Sequence, residues 1–185
     1  LQVPGHHNLL NAAGTLALGL LFELNPAALI SGLHSFRGAG RRFELKATVG
    51  GIRIIDDYGH HPTEISVTLE AARRYADNGR VLVIFQPHRY SRTQAFLSQF
   101  ASSLDKADEV ILLEIYAASE KPIPGVSSEL IAEQMERGRY IPNFAEAAEH
   151  MVEIARPGDV ILTLGAGDVN SLAPIIADGL LKRFG

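Results

Sequence analysis

Residues 81–85, VLVIF, form an apolar run without a polar side chain. Two later runs, EVILL at 109–113 and DVILTL at 159–164, have nearly the same character. Strands that are apolar along their whole length are buried on both faces, as in a parallel sheet covered by helices. Segments with helical periodicity separate the three runs, and such alternation is typical of an open, doubly wound sheet. We therefore predict an α/β fold with a mostly parallel sheet and helices on both faces.

The other strands and helices are predicted from the sequence on either side of these runs. Strands are predicted at 43–49, 52–57, 80–87, 109–116 and 159–167, with a short extended piece at 140–144. Helices are predicted at 8–24, 26–36, 62–76, 92–107, 127–138, 145–155 and 171–184. Two glycines between the first two strands indicate a hairpin. The glycine- and arginine-rich segment RGAGRRF at 37–43 indicates a linker.

The amino-acid composition and net charge of the chain limit the classes of protein to which it can belong. The chain has 185 residues, 46% hydrophobic and 21% charged, which suits one packed domain and a little more. A net charge of −4 gives no general attraction to nucleic acid or to anionic membranes, and neither is predicted as a partner. The absence of cysteine excludes disulfides and thiolate metal sites and suits a cytosolic protein. Because LQVPGHHN reads as the middle of a sequence, we expect a fragment of a longer chain.

Polar segments follow four of the predicted strands. They are DDYGHHPTE at 56–64, QPHRYSRT at 86–93, YAASEKPIPG at 116–125 and GAGDVN at 165–170. Open α/β sheets bind ligands outside the carboxyl ends of their strands. We therefore expect the four segments to meet at one ligand site.

QPHRYSRT brings two guanidinium groups close to an imidazole. His88, Arg89 and Arg92 fall within five residues. A guanidinium binds carboxylate or phosphate oxygens in pairs, so the group predicts an anion clamp. The alternative is a solvated helix start with unrelated cations.

DDYGHHPTE offers a carboxylate, a phenol and two imidazoles. Asp57, His60 and His61 are possible ligands of a divalent ion. Adjacent histidines in an extended segment point to opposite sides, however, so both are not expected on one ion. One of the two is expected to be structural, bonded to backbone at the start of the next helix.

Two nucleotide motifs are incomplete or missing. GAGDV has half of a dinucleotide fingerprint but lacks the third glycine, and a tight turn explains it equally well. The sequence contains no G-x-x-x-x-G-K-[ST] loop. If the chain handles a nucleotide, the usual phosphate cradle comes from elsewhere.

Taken together, six segments resemble the Mur ligase family in content and order. GHHNLLNA, GRRFE, DDYGHHPTE, QPHRYSRT, YAASEKPIPG and LGAGDV cover essentially the whole chain. Among these segments, DDYGHHPTE and QPHRYSRT together are most similar to those of the member that joins L-alanine to UDP-N-acetylmuramate in peptidoglycan synthesis. A close alternative is the related ligase that recycles murein peptides. An alternative from another class is a non-catalytic dinucleotide-binding Rossmann domain.

The resemblance implies a division of the chain. Residues 1–43 correspond to the tail of the central, ATP-binding domain plus the linker, and residues 44–185 to the Rossmann-like C-terminal domain. The N-terminal UDP-sugar domain and the rest of the central domain, with its P-loop and Mg²⁺ ligands, lie outside. The resemblance thus implies ATP and Mg²⁺ as cofactors, no metal ligand within this chain, a bacterial cytoplasmic location, and no ligase activity for the fragment by itself.

The resemblance also implies a set of nucleotide-binding residues. Asn8 and Asn11 correspond to asparagines beside the adenine of ATP, and an amide can both donate to and accept from an adenine edge. Arg42 corresponds to an arginine that reaches the phosphates and is expected to assist catalysis. Asp57 corresponds to the acid at the ribose, with Tyr58 beside the nucleotide.

A second set is implied for L-alanine. Tyr58 and His60 lie between nucleotide and amino acid, and His88, Arg89 and Arg92 correspond to the segment that receives L-alanine. The two arginines are expected to hold its carboxylate. His60 or His88 is expected to accept the ammonium proton, and this choice is left open.

Overall fold

A computed structural model of the chain describes residues 1–3, 5–38 and 40–185, with only the backbone of His7. Pro4 and Ala39, both inside the predicted segment 1–43, lie outside the described residues. In chain order the elements are α1 (His6–Leu21), α2 (Pro26–Ser35), β1 (Glu44–Val49), β2 (Ile52–Asp57), α3 (Pro62–Ala76), β3 (Val81–Phe85), α4 (Tyr90–Leu104), β4 (Glu109–Leu112), α5 (Glu129–Ala132), β5 (Gly138–Tyr140), α6 (Phe144–Ile154), β6 (Val160–Leu164) and α7 (Leu172–Phe184).

The six strands form one sheet in the order β1-β2-β6-β3-β4-β5. β1 runs antiparallel to β2, and all other neighbouring pairs are parallel. The predicted α/β fold is confirmed. Leu164 at the end of β6 is paired with both Asp57 and Phe85, so three strands end at the same level. This alignment brings the segments after β2, β3 and β6 to one edge.

The core lies on both faces of the sheet. Val83 and Phe85 of β3 pack on one face with residues of α3, α4 and α5. Leu82 and Ile84 pack on the other face with residues of α6 and α7. All of β3 is buried, because alternate side chains of a strand point to opposite faces and helices cover both.

The segment 127–138 corrects one sequence prediction. A helix was expected throughout, but only Glu129–Ala132 is helical, and Gly138–Tyr140 forms β5. The exposed edge of β4 pairs with this segment, since Val110, Ile111 and Leu112 align with 138–140. This pairing outweighs the helical spacing of the apolar residues. The extended piece predicted at 140–144 therefore lies mostly beyond the actual strand.

The strand predicted at 109–116 is also shorter than expected. It ends at Leu112, and Tyr116 forms only an isolated parallel bridge with His88. Helix α4, by contrast, starts earlier than predicted: it begins at Tyr90, two residues before the predicted start at 92.

The helices α1 and α2 form a hairpin before the sheet. Asn25 caps α2 by accepting from the backbone N–H groups of Ala27 (2.9 Å) and Ala28 (3.2 Å). The helices approach closely where Gly19 faces Leu29, because a Cβ at Gly19 would lie 2.7 Å from the leucine side chain. Much of the hairpin's apolar surface is open: Leu9, Leu10, Leu18, Leu20, Leu21, Phe22, Leu24, Ile30 and Phe36 are exposed. Among the described residues, no helix is long and apolar enough to cross a membrane.

Phe100 gives a direct test of the packing. It is fully buried and its ring centroid lies 5.4 Å from that of Phe85. We expect Phe100→Ala to lower the free energy of unfolding by about 3–5 kcal/mol, because it leaves a cavity in the core. Leu181→Ala, at a position 53% exposed, is the control and should cost under about 1 kcal/mol. Urea denaturation measures both, and equal losses would contradict this packing.

Candidate active site

Arg41 fastens the linker to the carboxyl edge of the sheet. Its Nε donates to Oδ2 of Asp56 (3.0 Å), and its two Nη atoms donate to the carbonyls of Gly167 (3.0 Å) and Gly165 (2.6 Å). Asp56 is fully buried and also accepts from the hydroxyl of Thr163 at 2.7 Å. The guanidinium therefore neutralises a buried carboxylate and connects the linker to β2 and to the turn after β6.

The backbone of the linker is held by the same edge. Tyr58 N–H donates to the Arg41 carbonyl (2.7 Å), and Phe43 N–H donates to Oδ2 of Asp57 (2.8 Å). Arg41 N–H donates to Glu44 (2.8 Å), and this bond contributes most to lowering the pKa of that carboxyl. Arg41 and Phe43 have φ of 58° and 49°, in the left-handed region. Such backbone persists only where surrounding contacts hold it.

Asp57 is buried and internally bonded. Its Oδ1 accepts from Gly59 N–H (2.8 Å) and from the Thr68 hydroxyl (3.2 Å), while Oδ2 accepts from Phe43 N–H (2.8 Å). Burial raises the pKa of Asp57 above its ordinary value, and these three donors oppose that rise. The carboxylate thus joins the linker, the end of β2 and α3.

Four of the five nucleotide-binding predictions lie around one cavity. Its volume is about 620 Å³, and Asn8, Asn11, Arg42 and Asp57 are among its lining residues. It opens between α1 and α3, with apolar walls that include Val67 of α3. A cavity of this size with a few polar groups suits a drug-sized or nucleoside ligand.

Tyr58, the fifth of these residues, lies between two regions. Its ring is 5.0 Å from the guanidinium carbon of Arg41 and 5.6 Å from that of Arg42. Its other neighbour is His60, whose ring centroid is 5.4 Å away. Tyr58 therefore connects the linker arginines to a cluster of imidazoles.

That cluster contains two of the predicted L-alanine residues and one that sequence analysis did not single out. The ring centroids of His60 and His88 are 5.7 Å apart. Tyr116 stacks on His88 at 5.5 Å, with the rings within 12° of parallel. The three side chains come from the segments after β2, β3 and β4, as the sheet order requires.

The two histidines of DDYGHHPTE point to different places. His61 caps α3 by accepting from Thr63 N–H (3.3 Å), and its ring packs on Phe96 at 4.8 Å. His60 instead faces Tyr58 and His88. The prediction that one of the pair is structural is confirmed. Glu64 holds both in place by accepting from the N–H groups of His60 (3.0 Å) and His61 (3.2 Å).

Hydrogen-bond partners assign different tautomers to His60 and His88. Nδ1 of His60 lies 3.0 Å from the Tyr58 carbonyl, which only accepts, so Nδ1 carries the proton and Nε2 of the neutral ring has the lone pair. Nδ1 of His88 lies 3.2 Å from Nη1 of Arg92, which only donates, so the proton of neutral His88 is on Nε2. His60 thus presents a base and His88 a donor.

The two arginines of the predicted clamp flank the start of α4. Arg92 lies in the first turn and donates to the ring and the carbonyl of His88 (3.2 and 3.3 Å). Arg89 precedes the helix with φ of 76° and is exposed. Burial, then Arg92, His60 and Arg89, lower the pKa of His88 below its ordinary value of 6.5. His88 is therefore neutral at physiological pH beside two permanent cations.

The turn after β6 makes hydrogen bonds and close contacts with other parts of the same domain. Gly165 N–H donates to the Asp57 carbonyl (3.1 Å), and Val169 N–H donates to Oε1 of Gln86 (3.1 Å). Gly165 has φ of 142°, and a Cβ there would lie 2.6 Å from the Gln86 carbonyl. The N–H groups of Gly165 and Val169 are therefore bonded within the protein and do not point freely towards a ligand.

Sequence reasoning missed Arg41, Glu64, Gln86, Tyr116 and Glu120. Arg41 stands beside Arg42 in the same motif, and only three-dimensional contacts tell them apart. Tyr116 and Glu120 lie in the quoted segment YAASEKPIPG, and an aromatic and an acid after a strand were a usable signal. Glu64 was detectable as the acid three residues after the cap of α3.

The family model described as "Mur ligase, glutamate ligase domain" matches residues 41–167. The chain belongs to this family. The match begins at the linker arginine and ends in the turn after β6, so it includes the whole imidazole cluster.

Relatives extend the match across the chain. A UDP-N-acetylmuramate–L-alanine ligase of Acidobacterium capsulatum is 50% identical over 100% of this chain and 40% of its own length. The crystal structure of the corresponding ligase of Thermotoga maritima, 29% identical, superposes with a TM-score of 0.80 over 99% of this chain and 40% of its own. A murein peptide ligase of Psychrobacter arcticus shares the fold at 23% identity and a TM-score of 0.72, over 96% of this chain and 37% of its own. The chain thus spans about 40% of the length of the curated relatives it matches.

The described residues do not suit Mg²⁺. Within residues 1–3, 5–38 and 40–185, no group of three His, Asp or Glu side chains is placed to hold a metal ion. The two acids that line the cavity, Asp57 and Glu64, both accept hydrogen bonds from protein donors. A magnesium site remains a prediction for the part of the relatives that this chain does not cover.

Arg41 and Arg42 provide a matched pair for testing the linker contact. Arg41→Ala leaves buried Asp56 with Thr163 as its side-chain partner among the described residues, and we expect a loss of about 2–4 kcal/mol in the free energy of unfolding. Arg42 is exposed, and Arg42→Ala should cost less than about 1 kcal/mol. Urea denaturation of both variants is the measurement. Equal losses would show that the ion pair does not hold the linker.

His88 should show its lowered pKa directly. An NMR titration should find its midpoint below 6.5, and Arg92→Gln should move the midpoint upward because a nearby cation is removed. Folded His88 then binds fewer protons than unfolded His88, so stability should fall as pH drops below about 6.5. Arg139→Gln, at an exposed position of β5, is the control. A midpoint unchanged by Arg92→Gln would contradict the contact.

Proposed function

We propose that the chain is the C-terminal part of an ATP-dependent ligase that joins L-alanine to UDP-N-acetylmuramate in peptidoglycan synthesis. The observation that carries the proposal is the cluster of Arg89, Arg92 and His88, which lies next to Tyr58 and His60. The chain is also 50% identical, over its whole length, to a ligase of that name. Two guanidinium groups can bind the carboxylate of an amino acid, and an unprotonated imidazole can accept a proton from its ammonium group.

The cavity between α1 and α3 is proposed to bind ATP. Asn8 and Asn11 are suited to the adenine, Asp57 to the ribose and Arg42 to the phosphates. ATP supplies the phosphoryl group that activates the muramate carboxylate as an acyl phosphate. Arg42 is exposed at the mouth of the site, where a fixed cation stabilises negative charge that develops on phosphate oxygens. The Tyr58 ring lies 5.6 Å from the guanidinium carbon of Arg42, between this cavity and the proposed amino-acid site.

The imidazole cluster is proposed to bind L-alanine. Arg89 and Arg92 hold the carboxylate and thereby fix the direction of the amine. His60 accepts the ammonium proton, because its Nε2 has the lone pair, while Nε2–H of His88 acts as a hydrogen-bond donor. The neutral amine then attacks the acyl carbon and phosphate leaves. Holding the amine in place supplies much of the rate, since amide formation becomes effectively unimolecular.

The division of the chain follows from the same proposal. Residues 1–43 are the tail of the central domain and the linker, and residues 44–185 are the C-terminal domain. The exposed leucines of α1 and α2 are suited to packing against the rest of the central domain. That part is proposed to supply the P-loop and Mg²⁺, and the N-terminal domain the UDP-sugar site. We propose a cytoplasmic location, where these small substrates are made.

The test is phosphate release by the full-length ligase with ATP, UDP-N-acetylmuramate and L-alanine. We expect release that depends on all three, and none from the 185-residue chain alone. Release that requires a murein tripeptide instead of L-alanine would favour the recycling ligase. ATP-independent binding of NAD would favour the dinucleotide-binding alternative.

Arg92 gives a sharper test of the amino-acid site. We expect Arg92→Ala in the full-length ligase to raise the KM for L-alanine roughly 30-fold or more, because a charged hydrogen-bonding partner of the carboxylate is lost. The KM for ATP should change by less than about two-fold. Arg139→Ala is the control, since Arg139 is exposed on β5. Equal increases in both KM values would contradict the assignment.

A further inference from the structure

We propose that Glu120 is a positioning residue that fixes one wall of the amino-acid site by tying the loop 116–120 to the first turn of α4. This inference rests on the proposed function, because it concerns the same L-alanine site. The family resemblance includes the segment of Glu120 but assigns this residue no role.

The contact is made by both carboxylate oxygens. Oε1 of Glu120 accepts from the hydroxyl of Ser91 (2.6 Å), and Oε2 accepts from its backbone N–H (3.0 Å). Ser91 is the second residue of α4, and among the described residues Arg89 at the helix start gives no side-chain cap. Glu120 therefore supplies, from 29 residues further along the chain, the acceptor that the first turn needs. These bonds are also the main reason that the pKa of Glu120 is lowered.

The loop held by Glu120 begins at the stacked tyrosine. Arg89 N–H donates to the Tyr116 carbonyl and Tyr116 N–H to the Pro87 carbonyl, both at 2.8 Å. The chain then turns through Ala118 and Ser119, with φ of 47° and 72°. Residues with a side chain hold such angles only where other contacts enforce them. Glu120 N–H closes the turn by donating to the Ala117 carbonyl (3.0 Å), and the Glu120 carboxylate attaches the closed turn to Ser91 of α4.

Two parts of the site depend on this closure. Tyr116 packs flat on His88, and so fixes the ring whose Nδ1 accepts from Arg92. Arg89, whose φ is 76°, is held between the Tyr116 bridge and the first turn of α4. Release of the loop would free both arginine positions while leaving the cavity between α1 and α3 intact, because Glu120 is not among that cavity's lining residues.

The experiment uses the full-length ligase. Wild-type ligation of L-alanine is measured first, and its failure would remove the proposed function whatever Glu120 does. Given wild-type activity, Glu120→Ala should raise the KM for L-alanine roughly 10- to 100-fold through misplacement of the clamp. Neither the KM for ATP nor kcat should change by more than about two-fold. Glu120→Gln should retain most of the affinity, because its amide oxygen can accept from Ser91 N–H and its amide NH2 group can donate to Ser91 Oγ.

Two further variants complete the test. Ser91→Ala should weaken L-alanine binding, and its combination with Glu120→Ala should be no worse than Glu120→Ala alone. Glu149→Ala, at an exposed position of α6, is the matched control and should have no effect. If Glu120→Gln is as harmful as Glu120→Ala, the carboxylate acts by charge on the substrate amine and the positioning role is overturned. An unchanged KM for L-alanine, or equal rises in both KM values, overturns it as well.

Discussion

The carboxyl edge of the sheet depends on the pairing of Arg41 with Asp56. Asp56 is fully buried at the end of β2, and an ionised carboxylate there is costly unless a cation and hydrogen-bond donors compensate it. Arg41 reaches it from the linker and uses its remaining donors on the carbonyls of Gly165 and Gly167. One planar side chain thus connects the linker to two neighbouring strands, which a lysine with its single nitrogen could not do.

The position of Tyr58 follows from that pairing. Its N–H is bonded to the Arg41 carbonyl, and its ring lies beside both linker arginines. On one side is the cavity lined by Arg42 and Asp57, and on the other is the imidazole cluster that begins with His60. A change in the linker would therefore affect both halves of the site together. For the proposed ligation, in which an activated carboxylate must meet an amine, such coupling is an advantage.

The sheet, and the edge at which the polar segments meet, could be predicted from sequence because continuous apolar runs mark the buried parallel strands. Contacts between distant residues could not. Arg41 and Arg42 are chemically identical neighbours, and only the position of Asp56 separates their roles. The spacing of apolar residues in 127–138 is typical of a helix, yet Gly138–Tyr140 pairs with the open edge of β4 and forms a strand. The tautomers of His60 and His88 depend on partners, a carbonyl and a guanidinium, that spacing along the chain does not reveal.

The place of β6 in the sheet has a consequence for how the chain is made. This strand is the last of the six to be synthesised, yet it lies between β2 and β3, more than 100 residues after the first of them. Until β6 has been synthesised, β2 and β3 therefore each keep one unpaired edge. Closing such long loops is slow, and open edges favour association with other chains. The pairing of β6 with β2 and β3 therefore closes two open edges in the middle of the sheet.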